Sequence, residues 1–228
     1  MRSILPITLA NLRRAKSQAV SLLAFVLIAA LLLNSGLLLM LSFGSFFDER
    51  SEALHAPHYV LIEEERLFTQ AQLDYLENYS GVTETEHETA LFCVGDIAYS
   101  NGKMLSHFIF LDASAGRNMN DLTLMEGAVP KTADEICLPY VFKAGGGYAL
   151  GDVFTITAND QERSFTISGF SEEIMHGSIN NQLFQVYLST LGYDRLAQDM
   201  PGATCEVIRV RLHDPSESET LFRDSAQE

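Results

Sequence analysis

Hydrophobic and polar positions follow two regimes along this chain. From Ala19 to Phe43 the sequence reads AVSLLAFVLIAALLLNSGLLLMLSF, with no charge and no polar face. A soluble helix of that length carries a polar stripe, so the run fits a membrane-spanning helix better than a core helix. About 20 apolar residues at about 1.5 Å rise each cross roughly 30 Å of hydrocarbon. A cleaved signal peptide is the rival reading. Its apolar region spans about 7–15 residues and ends in small residues. The run here is longer, exits through Phe43, Phe46 and Phe47, and shows no A-x-A, so an uncleaved anchor is expected. Asn34-Ser35-Gly36 forms a small polar notch of the kind that favours neighbouring helices in lipid, although a lone anchor tolerates it too.

Beyond the span, apolar runs become short and punctuated. Asp48–Leu54 prolongs the helix as a stalk, and Pro57 ends it because the residue before proline is driven out of the helical region. His58-Tyr59-Val60-Leu61-Ile62 reads as a strand. Thr69–Tyr79 reads as a helix, with Leu73 and Leu76, and Tyr75 and Tyr79, at helical spacing and Gly81 as its stop. Val82–Ala98 and Met104–Leu111 read as strands split by a Ser100-Asn101-Gly102 turn. Further strands are expected at Glu135–Leu138, at Val153–Ala158 and Ser164–Phe170 around an Asn159-Asp160-Gln161 turn, at Leu183–Leu188 and at Cys205–Leu212. In the last, Ile208, Val210 and Leu212 alternate with Arg209 and Arg211. Pro215–Glu228 opens like a helix, with Ser216 as cap and Glu217 and Glu219 in its first turn. The pattern predicts an α+β fold: one N-terminal transmembrane helix, then a mixed α/β domain with a strand-helix-strand unit and a small β-rich subdomain.

Charge adds a direction. The chain has 228 residues with 15 basic and 30 acidic side chains, a formal charge of −15. The first 47 residues carry Arg2, Arg13, Arg14 and Lys16 and no acid, which leaves a balance of −19 on the remainder. Basic residues next to a span stay on the cytoplasmic side. The expected organisation is therefore a cytoplasmic amphipathic segment over 1–16, a transmembrane helix over 17–47 and an extracytoplasmic domain over 48–228. Leu5, Leu9 and Leu12 share one face of the first segment, as in a helix lying at the membrane surface, and a plain charged flank is the alternative. The acidic balance argues against a nucleic-acid partner.

Catalytic and metal-binding patterns are absent. His55, His58 and Glu63-Glu64-Glu65 are separated by Pro57, so the histidines do not share a helical face as a zinc pair would. Glu86-His87-Glu88 in a strand places both acids opposite the histidine, which fits a solvated strand. Gly145-Gly146-Gly147 with Gly151 is not G-x-G-x-x-G and reads as a loop, and neither a G-x-S-x-G nor a Walker sequence occurs. Asn78-Tyr79-Ser80 matches a short glycosylation pattern that arises by chance. Cys93, Cys137 and Cys205 contain no C-x-x-C; one disulfide among them is compatible with an extracytoplasmic site, and the odd number leaves a free thiol. No residue is singled out as catalytic, cofactor-binding or metal-ligating, and no cofactor is expected.

The order of a basic N-terminal segment, one span, strand-helix-strand and a small sheet domain resembles the front of an FtsX-like, MacB-like permease subunit of ABC transporters. Local matches are Asn11-Leu12-Arg13-Arg14 before the span, Glu126-Gly127 to Pro130 followed by Asp134-Glu135-Ile136-Cys137-Leu138, Leu150-Gly151-Asp152 opening a strand, and Phe165-Thr166-Ile167-Ser168-Gly169-Phe170. Each is weak alone; their order covers nearly the whole chain. The resemblance implies an extracytoplasmic MacB-like core domain between the first and second membrane helices. It also implies a partner ABC ATPase, further permease transmembrane helices and a homodimeric or heterodimeric assembly, with ATP chemistry residing in the partner. The three further membrane helices of that family do not follow here, so a front portion or a single-pass relative is expected. Two other readings stand beside it. A single-pass, membrane-anchored ligand-binding or adhesion module would need no neighbouring helices. An anchored hydrolase would need a converging acid, base and nucleophile, which the sequence does not display.

Overall fold

The computed structural model describes residues 16–100, 102–159 and 161–225. Residues 3–15 of the surface helix expected over 3–16, Asn101 and Asp160 of the two turns, and 226–228 of the last expected helix lie outside the described residues; Lys16 opens α1. The chain divides into two units, one up to Arg50 and one from Ser51 onward. The described part of the first is helical: α1 runs Lys16–Ala53, through the predicted stalk, and its residues 20–49 are exposed. It is long and apolar enough to cross a membrane.

The second unit is built on one nine-stranded sheet among the described residues. Its elements are β1 (Tyr59–Glu64), α2 (Gln70–Asn78), β2 (Val82–Tyr99), β3 (Gly102–Asp112), β4 (Leu124–Gly127), β5 (Glu135–Pro139), α3 (Val141–Ala144), β6 (Val153–Ala158), β7 (Gln161–Ser171), β8 (Leu183–Leu188), α4 (Thr190–Asp199) and β9 (Thr204–Leu212), followed by a 3₁₀ turn (Pro215–Glu217) and α5 (Ser218–Ser225). The strand order is β1-β9-β2-β3-β8-β5-β7-β4. Most neighbours are antiparallel; β3 with β8 and β5 with β7 are parallel.

Strand β2 belongs to two structures at once. Its first half pairs with β9 (Glu86↔Arg209, Glu88↔Val207), and its second half pairs with β3 (Cys93↔Phe108, Ile97↔Met104). Strand β6 pairs with β7 along its length and with β2 at Asp96↔Thr157 and Ile97↔Ile156. The pairings β2-β3-β8-β5-β7-β6 thus close on β2 as a six-strand ring. Gly95 permits the closure: a Cβ there would lie 2.6 Å from Ile156 Cγ2 and 2.9 Å from the Thr157 carbonyl oxygen, which is the close strand approach that selects glycine.

Inside the ring lie Phe108, Phe110, Phe154, Phe165, Phe184, Ile136, Leu138, Ile167 and Val186, all buried, and Phe142 of α3 plugs it. Phe142 meets the rings of Tyr99, Tyr148, Phe154 and Phe184 at centroid distances of 4.8–6.2 Å, mostly edge-on, the arrangement aromatic quadrupoles favour. Outside the ring, β1, β9 and the start of β2 carry a second apolar layer. Tyr59, Ile208, Val210 and Leu212 pack there under Leu73 and Leu76 of α2 and Leu221 of α5. Helix α2 starts at a capping box in which the Thr69 hydroxyl accepts from Gln72 N–H and the Gln72 side chain accepts from Thr69 N–H, satisfying two otherwise orphaned donors. The N-cap of the C-terminal helical segment is Asp214, at the start of the 3₁₀ turn, not Ser216 as the sequence pattern suggests: its carboxylate accepts from both the N–H and hydroxyl of Ser216, two residues on. Helix α4, capped by Ser189, and strand β4 have no counterpart in the sequence reading; both are too short or too polar to show a strong period.

Candidate functional site

Among the described residues, no helix packs along the opposite face of β9-β2-β3-β8. It is covered by two irregular segments, 113–123 and 172–182, and by the chain leaving α1. Alternation along β9 sends Ile208, Val210 and Leu212 to the helix-covered face, so Arg209 and Arg211 must point to this one. Both are buried, with relative exposures of 1% and 8%. Burial of a guanidinium requires counter-charges and acceptors, and each arginine organises a group of them.

Arg211 fastens the exit of α1. Its Nη2 lies 2.8 Å from both carboxylate oxygens of Glu52, and its Nη1 donates to the Ala56 carbonyl at 2.6 Å. The helix ends in a left-handed turn at His55 (φ 48°), with Ala56 N–H donating to the Ser51 carbonyl. Three further tethers surround it. His55 Nε2 lies 2.6 Å from Glu84. Asn120 N–H donates to the Leu54 carbonyl at 3.1 Å. His58 Nδ1 accepts from Leu212 N–H at 2.9 Å. Burial, and then the charge of Arg211, lower the His58 pKa, which keeps the ring neutral and Nδ1 free to accept.

Arg209 shares Glu88 with Arg117. Arg117 Nε lies 2.9 Å from both Glu88 oxygens, and its other nitrogens donate to the carbonyls of Asp112 and Ala115; Arg209 Nη1 donates to Glu88 Oε1. Both arginine side chains are 2% exposed. Burial works to raise the Glu88 pKa, but the hydrogen bonds and charges of the two arginines outweigh it and hold the carboxyl below its ordinary value. Two residues earlier, Glu86 accepts from the N–H groups of Asn118 and Met119, pinning the same covering segment.

A further acid, Glu173, sits where the two covers meet. Its Oε1 accepts from Tyr187 Oη and Gln185 Nε2, each at 3.1 Å, and its Oε2 from Asn120 Nδ2 at 3.1 Å. Burial raises its pKa to about 7, against the opposing pull of Asn120, Tyr187, Arg209 and Arg117. Burial, reinforced by the charge of Arg209, lowers the pKa of neighbouring His176 to about 4.

The residues weighed from sequence fall elsewhere or play other parts. His55 and His58 both serve the helix exit, while Glu64 pairs with Arg66 at the far end of β1. Among the described residues no group of three or more His, Cys, Asp or Glu is placed to hold a metal ion. Glu86 and Glu88 do lie opposite His87, which meets Glu206 at 2.8 Å and stacks on Phe68. The strand is not the solvated one expected, because the paired arginines draw its acids under the cover. The triple glycine follows α3 as a loop against Tyr99. All three cysteines are free and buried, so the one disulfide left open by their number does not form. The sequence reading missed Glu52, Glu88, Arg117, Glu173, Arg209 and Arg211 as a set. The available signal was two arginines alternating with β-branched residues in a strand.

The sequence matches no protein-family model and no curated protein. It is similar to solved structures. One is the extracellular domain of the noncanonical ABC-type transporter YknZ from Gram-positive bacteria (14% identity, 70% of this chain and 81% of that one, TM-score 0.34). Another is the periplasmic region of MacB from Actinobacillus actinomycetemcomitans (11% identity, 79% of this chain and 86% of that one, TM-score 0.37).

Proposed function

We propose that this chain is the N-terminal portion of a permease subunit of an ABC transporter complex. A partner ATPase hydrolyses ATP, and the permease turns that work into movement of the extracytoplasmic domain, for export, extrusion or envelope signalling. The observation that carries this reading is the fastening at the end of α1. An apolar helix fit to cross a membrane ends in the same compact unit as Arg211, and five residues of its exit are bonded to the sheet through Arg211, Glu84 and Leu212 and to its cover through Asn120. A passive tether needs no such set of fastenings, whereas an element that transmits displacement needs several. The family resemblance of the motifs supports the same reading. The basic flank of Arg13, Arg14 and Lys16 supports a cytoplasmic N-terminus, with 1–16 inside, 17–47 in the membrane and 48–228 outside.

Co-purification of the membrane-extracted gene product, with mass spectrometry of its companions, tests the proposal. A stoichiometric ATPase is the expected result. A product with no ATPase moves the reading to a single-pass binding module. A reporter fused after Glu228 checks the topology; cytoplasmic reporter activity would overturn it.

A further inference from the structure

Strand β1 is an edge of the sheet: among the described residues it pairs with β9 and with no other strand. Glu65 N–H donates to the Thr204 carbonyl, and backbone groups alternate along an antiparallel ladder. Tyr59, Leu61 and Glu63 therefore turn theirs to β9, and Val60, Ile62 and Glu64 turn theirs away. The Glu64 carbonyl accepts from Leu67 and Phe68 N–H; the other outward groups have no partner strand. Tyr59–Ile62 carries neither a charge nor a proline, the usual protections of an open edge. Apolar surface borders it on both faces. Phe222 of α5, 58% exposed, lines a cleft of about 270 Å³ with Tyr59, Leu61 and Ser225. Val60 and Leu183 share a cleft of about 700 Å³ with Met175 and Phe222.

Topology points at the same edge. Strands β1 and β2 are both antiparallel to β9 and flank it, so β1-α2-β2 is a crossover between parallel strands. Strand β9 followed by α5 repeats the first two parts of that unit, with Leu221 of α5 in the same cluster as Leu73 and Leu76 of α2. Such crossovers are right-handed in nearly all cases. Because β9 runs opposite to β1, the same hand with the helix on the same face carries the chain the other way, past β1. The two units then interlock as β-α-β-β-α-β. Helix α5 already reaches over β1, where Ser225 Oγ lies 3.1 Å from Tyr59 Oη.

We propose that the open edge of β1 receives one further strand of the same polypeptide, which follows α5, runs antiparallel to β1 and carries apolar side chains on both faces. The inference rests on the proposed function only in that the gene product continues past Glu228. Running opposite to β1, the added strand starts beside Glu64 and ends beside His58, next to the exit of α1. A membrane span that follows it is then joined to α1 through two neighbouring strands of one ladder, so that displacement of either helix reaches the other through the sheet.

Hydrogen exchange on the purified full-length gene product in lipid nanodiscs tests this, read at single amides by electron-transfer fragmentation. Val60, Ile62 and Glu64 are expected to exchange as slowly as Leu61 and Glu63, whatever the protein concentration. In the same protein shortened to end at Glu228, the first three should exchange at least about tenfold faster while Leu61 and Glu63 stay slow. If the shortened chain does not fold, the full-length pattern decides alone. Fast exchange at Val60 and Ile62 beside a slow Leu61 in the full-length product overturns the proposal, and so does a gene that stops at Glu228. Slow exchange at Val60 and Ile62 in the shortened chain that is lost on dilution assigns the edge to a second copy and overturns it too. A co-purifying ATPase with fast Val60 and Ile62 removes the strand and leaves the transporter reading; slow amides without an ATPase do the reverse.

Discussion

Arg211 holds Glu52 across 159 positions of sequence, with one guanidinium nitrogen 2.8 Å from both carboxylate oxygens. The two partners are not equivalent. The Arg211 side chain is 10% exposed and that of Glu52 66%, so the arginine's buried bond to the Ala56 carbonyl carries more of the effect than the ion pair, which water screens. Arg211→Ala should therefore lower the stability of the sheet domain by about 2 kcal/mol, in the range for charge-assisted hydrogen bonds. Glu52→Gln should cost well under about 1 kcal/mol. Arg211→Lys should recover only part, because a single ammonium cannot serve the carbonyl and the carboxylate with the same fork. Thermal melts of the three variants, followed by circular dichroism, check the order.

Glu88 gives a larger effect with a defined pH signature. It is the shared counter-charge of two buried guanidiniums, so Glu88→Gln leaves both cations short of a partner and should cost about 3–5 kcal/mol. Because the carboxyl is held below its ordinary pKa of 4.5 in the fold, its stabilisation is fully present above that value and drains away as pH falls through the lower, folded pKa. Wild-type melting temperature should fall on acidification below about pH 4.5, and the variant should lose that part of the slope. Equal acid slopes in the two proteins would remove Glu88 as the cause.

How far this arrangement was legible in the sequence differs by level. Cys205–Leu212 declares itself through local alternation and Leu183–Leu188 as a short apolar run, and Thr69–Tyr79 announces a helix through the spacing of Leu73 with Leu76 and Tyr75 with Tyr79. The face on which Arg209 and Arg211 point is also local information. Their partners are not. Glu88 lies 121 positions from Arg209, and Arg117 enters from a segment with no period at all. The same holds for ring closure, which depends on a two-pair contact between β6 and β2 that no local pattern encodes. Glu173 sits in a loop whose composition reads as solvent-facing; only the fold places Tyr187 and Gln185 beneath it.

The three cysteines offer a test of compactness without mutation. All are buried and unpaired, and burial pushes the thiols of Cys137 and Cys205 up to about 12, far from the thiolate form that reacts. In the native, detergent-solubilised chain a maleimide should label none of them within the time that labels all three in denaturant. Counting adducts by intact mass decides it. Rapid native labelling of Cys137, the cross-strand neighbour of Tyr187 in an apolar cluster with Ile109, Leu111 and Val207, would show that this cluster opens far more readily than its packing indicates.

Gly95 controls closure of the ring. A methyl group at this position meets Ile156 Cγ2 at 2.6 Å and the Thr157 carbonyl oxygen at 2.9 Å. The first contact could be relieved by a side-chain shift, but the second is backbone, so β6 must move away from β2. Overpacking of this kind costs typically 1–3 kcal/mol. Gly95→Ala should fall in that range, and Gly95→Val above it. Ile156→Val removes the terminal methyl of the isoleucine but neither Cγ2 nor the Thr157 carbonyl, so the double variant Gly95→Ala with Ile156→Val should show no rescue. Full rescue in that pair would place the strain in the side chains and leave the strand crossing intact. Faster amide exchange at Asp96 and Ile97 in Gly95→Ala, with β1 and β9 unchanged, would show that the ring opens at this crossing while the helix-covered part of the sheet stays closed.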